Sequence, residues 1–206
     1  MQSLSPIVSS FEFLDNIHYG KYKSTHVTPI NIICVAPQLF ITSDIIDDSN
    51  IKAIKDRKIK TIINISNTSV PRISRDGIYS VHYNICGGSP TMIYGLFGTT
   101  DREISSTLLY GGNVLIYSPV NHSISATIIA NHLLHCKYDM LGYDNNSNYL
   151  HDVINEMRDL CGFINISADM YKLLETVNTI YISMYISATY TRSFPDETDE
   201  GIINKL

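Results

Sequence analysis

The stretch KTIINIS, from Lys60 to Ser66, constrains the fold of this chain most. It is a continuous run of β-branched and apolar residues, without the strict alternation of a strand that has one face in water. Such a run suits a strand buried on both faces, which requires helices on both sides of a sheet. Further strands are predicted in NIICVAPQLFITS, with Ile32, Ile33 and Val35 before Pro37 and Leu39, Phe40 and Ile41 after it. IYSVHYNI (Ile78 to Ile85) alternates and reads as another strand. Helical pieces fall between them. DDSNIKAIKDRKI places Asp48 or Ser49 as a cap before a short helix burying Ile51 and Ile54. DREISSTLLY, residues 101–110, reads as a helix with Asp101 near its start, and LHDVINEMRDL reads as another. Strands alternating with helices predict an α/β domain with a mostly parallel central sheet flanked by helices.

The last helix carries Met170, Leu173, Leu174, Val177, Ile180, Tyr181, Met184 and Tyr185 at helical spacing. The expected organisation is an N-terminal extension over 1–28, one domain over 29–177, and a C-terminal helix extension with an acidic tail over 178–206. The part of the stripe formed by Ile180, Tyr181, Met184 and Tyr185 either folds back on the domain or stays open as a partner or homodimer surface.

Bulk charge excludes some functions. With 15 basic and 20 acidic residues the net charge is −5, so no nucleic-acid partner is expected. The one basic cluster, KAIKDRKIK from Lys52 to Lys60, reads first as a solvated helix face and second as a site for phosphate or an acidic partner. No run of apolar residues is long enough to span a membrane, and the opening residues lack the pattern of a signal peptide. Four scattered cysteines without C-x-x-C spacing fit reduced thiols in a cytoplasmic compartment. The bias toward Ile, Asn, Ser and Tyr, with no Trp, is one that AT-rich genomes produce, including those of some large viruses. A viral source would place the protein in a host cell or a virion.

The chemistry centres on GGNVLIYSPVNHSISATIIANHLL, Gly111 to Leu134: a turn, an apolar strand, a polar loop and a helix. A strand–loop–helix unit of this kind makes an anion cradle from backbone N–H groups and the helix N-terminus. Yet the loop has no cysteine, arginine or lysine. Farther along the same helix, His132, His135, Cys136 and Asp139 share a face. Metal could use such a face, but packing and surface roles are favoured, with the polar set toward the end and edge of the helix, and neither metal nor cofactor is expected.

In their order and separations, four segments resemble the dual-specificity branch of the cysteine-dependent protein tyrosine phosphatases. VAPQLFITS is similar to the first core strand. IKAIKDRKIKTIINIS is similar to the helix and the strand that ends in asparagine. The segment from Gly111 to Leu134 aligns with the signature loop H-C-x-x-G-x-x-R-S/T. MRDLCGFINISADMYKLLE is similar to the closing elements. The resemblance implies the family's fold over about residues 31–177. Position by position, the loop histidine falls on Tyr117, the nucleophilic cysteine on Ser118, the glycine on Asn121 and the arginine on Ile124. His122 and Ser123 lie between, and only the closing hydroxyl survives, as Ser125. The general-acid aspartate falls near Ser89, and no carboxylate occurs from Tyr83 to Thr100.

These substitutions bear on the chemistry. A thiolate is accessible near neutral pH, whereas a serine hydroxyl needs a general base. Ile124 offers no donor to fork onto phosphoryl oxygens, and hydrogen bonds to a charged group are worth roughly 1.5–3 kcal/mol each. Pro119 removes one backbone N–H from the loop. The resemblance therefore implies a catalytically inactive pseudophosphatase, with weak or absent phosphate binding and a protein partner. The alternative is a weak hydrolase using Ser118 with His122 as its base.

Overall fold

The computed structural model describes residues 30–67, 77–85, 88–119, 122–144, 148–162 and 164–193, with side chains to residue 188. The expected extension over 1–28 and the tail beyond residue 193 lie outside the described residues, as does Asn121. The strands are β1 (Ile33–Ala36), β2 (Leu39–Thr42), β3 (Ile59–Ile65), β4 (Tyr79–Tyr83) and β5 (Asn113–Tyr117). The helices are α1 (Ile51–Asp56), α2 (Pro90–Leu109), α3 (His122–Leu141), α4 (Tyr149–Cys161) and α5 (Ala168–Ser193).

The sheet order is β1-β2-β5-β3-β4. β1 and β2 form an antiparallel hairpin, and every other pairing is parallel. β5 lies between β2 and β3, with Ile116 opposite Ile41 on one side and Ile63 on the other. The period of two sorts each strand between two cores. Ile63, Ile65, Val114 and Ile116 pack with α2, α3, α4 and α5. Ile62, Leu115 and Tyr117 pack with Ile54 of α1 on the other face. Val114, Leu115, Ile116, Ile62 and Ile63 are all fully buried, as an uninterrupted apolar run requires.

Three local expectations are corrected. The cap of α1 is neither Asp48 nor Ser49 but Asn50, which accepts from the Asp47 amide and donates to the Ile45 carbonyl. α2 begins eleven residues before Asp101. Its N-cap is Ser89, followed by Pro90 at the first helical position, where a missing N–H is harmless. Asp101 is thus mid-helix, facing α3. The polar set on α3 does not lie at the edge as a whole: His132 is only 3% exposed.

α5 continues past residue 177 without a break. Met170, Leu174 and Val177 are buried, and Tyr181 and Tyr185 are half-buried against α3. The Tyr181 ring stacks on His135 at 5.4 Å and its hydroxyl donates to Asn131. Tyr185 stacks on Tyr138 and hydrogen-bonds Asp139. Ile180 and Met184 stay exposed. The stripe thus divides, with its two tyrosines folded back on the domain and its Ile/Met pair open.

Candidate functional site

β5 delivers Tyr117 and Ser118 to the end of the sheet, where the Ser118 amide donates to the Thr42 carbonyl and extends the ladder by one bond. Tyr117 is buried against the α1 side, and burial raises the pKa of its phenol. Ser118 is fully buried, and its Oγ has no hydrogen-bond partner among the described residues. α3 opens with His122. Its Nε2 is 2.8 Å from Ser43 Oγ at the end of β2, while Nδ1 is buried without a partner among the described residues. Ser43 thus holds one ring nitrogen of the histidine that the hydrolase reading pairs with Ser118. No sequence pattern pointed to Ser43, which sits 79 residues away in the chain.

Ser123 is buried, and its Oγ accepts from the Ser167 amide at 2.8 Å, joining the start of α3 to the start of α5. Ser125 is fully buried, and its Oγ has no partner among the described residues. A buried hydroxyl left without a partner costs roughly 1–3 kcal/mol.

Ile124 decides the character of the loop. It is 5% exposed and belongs to the core that lies under α2, α3, α4 and α5. Its Cδ1 lies so close to Gly88 that a Cβ built there would meet it at 2.8 Å. Gly88 is left-handed, φ +59°, a conformation glycine adopts freely. The segment that precedes α2 thus converges on the first turn of α3, and an aliphatic side chain fills the space between them. Ser89, beside it, is exposed and acts as a helix cap, with its Oγ accepting from the Met92 amide at 3.4 Å. Arg57 and Arg102 turn back onto the carbonyls of Ala53 and Gly98 in their own helices, and Arg158 is exposed on α4.

A second polar cluster lies along α3. Asp101 of α2 accepts from His132 Nδ1 at 2.6 Å and from His135 Nδ1 at 3.2 Å. Cys136 Sγ is 3.7 Å from His132 Nε2, and His135 Nε2 is 3.6 Å from Asp139. Burial works against a charged His132, but the hydrogen bond to Asp101, with Cys136 and the Asp101 charge adding to it, raises its pKa to about 9. Burial likewise opposes the Asp101 anion, and the two histidines overcome it and lower its pKa. The i, i+3 spacing of the histidines was legible in the sequence, but their shared carboxylate from another helix was not. The cluster locks α2 to α3.

Solved structures share this arrangement of strands and helices. Human tyrosine phosphatase-like serine/threonine/tyrosine-interacting protein superposes with a TM-score of 0.57 at 19% identity, covering 73% of this chain and 97% of that one. The fold is that of the dual-specificity phosphatases. Human DUSP28 matches with a TM-score of 0.56 at 15% identity, over 74% of this chain and 97% of its own. The Yvh1 phosphatase domain from Chaetomium thermophilum matches at 0.57 and 19%, over 73% and 96%. No family model matches the sequence, and no curated protein matches it significantly. At these identities the likeness to dual-specificity phosphatases is one of fold.

Proposed function

We propose that this chain keeps the frame of a dual-specificity phosphatase without its chemistry, and acts by binding another protein, as a scaffold or as a competitor of active phosphatases. The observation that carries the reading is Ile124. The position aligned with the family's arginine holds a buried aliphatic side chain wedged against Gly88, where no donor can fork onto a phosphoryl group. Two further observations support it. Ser118, aligned with the nucleophile, is fully buried and makes no hydrogen bond to His122, whose Nε2 is held by Ser43. Ser89, aligned with the general acid, carries a hydroxyl far too weakly acidic to protonate a leaving group and serves as a helix cap. One of the similar structures is itself named as phosphatase-like and as an interacting protein.

The test is turnover. Purified protein is incubated with p-nitrophenyl phosphate and with a phosphotyrosine peptide, alongside Ser118→Ala. The expected result is no release of phosphate above the buffer blank from either protein. Turnover by the wild type that Ser118→Ala abolishes would establish the hydrolase instead.

A further inference from the structure

The parallel strands have two ends. The degenerate loop occupies the end where β3 and β5 finish, and the opposite end is built from the residues that precede them. There a cleft of about 300 Å³ is lined by Lys55, Lys58 and Lys60, with Gly77 and Gly111 at its rim. Both glycines are left-handed, with φ +73° and +71°, and each has open space where a side chain would stand. Among the described residues that line this cleft there is no carboxylate. Lys58 is itself left-handed, φ +55°, a conformation that costs a non-glycine residue about 1–2 kcal/mol. It is held there by the hydrogen bond its amide donates to the Lys55 carbonyl at 2.8 Å and by Asn113 Nδ2, which donates to the Arg57 carbonyl at 2.7 Å. The strained turn therefore fixes Lys55 and Lys58 around one opening.

The bland explanation is that lysines offset the negative end of the α1 dipole. It accounts for Lys55, in the last turn. It does not account for Lys58 and Lys60, which follow the helix and face the cleft. Lys60 also borders an adjoining cleft of about 510 Å³ that carries Glu103, Tyr79 and Tyr110. Both tyrosines are largely exposed, at 55% and 85%. Lysines beside open aromatic rings, on a chain of net charge −5, form a local inversion of charge. A long polyanion would meet the acidic remainder of the surface, whereas a short acidic segment would meet the lysines alone.

We infer that this end of the sheet is a docking surface for an acidic peptide segment of a partner protein. The carboxylates sit against Lys58 and Lys60, and a neighbouring apolar side chain rests on Tyr79 and Tyr110. The inference rests on the proposed binding role and gives that role a surface. It is tested by affinity, so it can fail while the turnover result stands, and the reverse.

The probe is a fluorescein-labelled peptide of three glutamates followed by leucine and phenylalanine, followed by anisotropy at low and at physiological salt. The wild type is expected to bind, more weakly as salt rises. The double variant Lys58→Glu, Lys60→Glu should bind about tenfold more weakly or worse. Lys52→Glu with Lys172→Glu, which changes net charge equally at residues outside the cleft, should stay within about twofold of the wild type. Lys58→Gly guards against misfolding. It relieves the left-handed strain and should raise the melting temperature while still weakening the peptide, a combination that a purely structural lysine does not give. Equal weakening by both glutamate pairs would overturn the inference, as would no binding by the wild type. So would lysine-dependent capture of oligothymidylate or of phosphatidylserine vesicles in place of the peptide.

Discussion

At the scale of single residues, the loop is explained by what each side chain touches. Ser118 Oγ is buried and has no partner among the described residues, so removing it removes a desolvation cost without creating a large cavity. Ser118→Ala is expected to be as stable as the wild type or about 1 kcal/mol more stable in urea denaturation. A loss of more than about 1 kcal/mol would mean that the hydroxyl has a partner in solution. Gly88 and Ile124 give a sharper case. Gly88→Ala adds a Cβ at 2.8 Å from Ile124 Cδ1 and strains a φ of +59°, for a cost of about 1–3 kcal/mol. Ile124→Val deletes that Cδ1, so the double variant should lose less than the sum of the single ones. Strict additivity in the cycle would show that the two residues do not meet. The substitutions at Ser118 and Ile124 were legible in the sequence through the aligned loop. The contact of Ile124 with Gly88 and the capture of His122 by Ser43 were not. Both are meetings between segments far apart in the chain, which no local pattern encodes.

Among the elements, the link between α2 and α3 should be visible in pH dependence. In the folded protein His132 keeps its proton up to about pH 9, whereas an unfolded histidine loses it near 6.5. The stabilisation is therefore complete below about pH 6.5 and drains away as pH rises toward 9, by roughly 3 kcal/mol in all. For Asp101, held below its ordinary value, the same bond contributes above the unfolded carboxylate pKa and is lost in acid. Denaturation midpoints between pH 6 and 9.5 should fall in the wild type and fall much less in Asp101→Asn; parallel slopes would refute the pairing. The strands of this layer were readable because burial on both faces leaves an unmistakable apolar run. α2 was only half readable. Its first half, PTMIYGLFGTT, carries two glycines and several threonines, poor helix formers on their own. What makes it helical is the buried line Ile93, Phe97, Thr100 and Ile104 against the sheet, so packing overrides local preference. The Ser89–Pro90 pair was the available signal, being a cap residue followed by proline.

On the scale of the whole molecule, a phosphatase-like fold carries two features outside its loop: an open Ile180–Met184 pair on α5 and a basic cleft at the far end of the sheet. Among the described residues no helix is long and apolar enough to cross a membrane. If the open pair joins two copies, light scattering should give a concentration-dependent dimer mass that Ile180→Glu with Met184→Glu abolishes and that Tyr181→Phe leaves intact. A monomer at every concentration in all three proteins removes self-association through α5. The central claim is that a buried Ile124 stands where the family's loop holds its phosphate-gripping arginine, so that phosphate is not held there. Calorimetric titration of the wild type with phosphate and with tungstate measures this directly. Heat corresponding to no binding, or to a Kd weaker than about 1 mM, is the predicted result. Saturable binding in the micromolar range that Ile124→Arg or Ser118→Ala alters would contradict it.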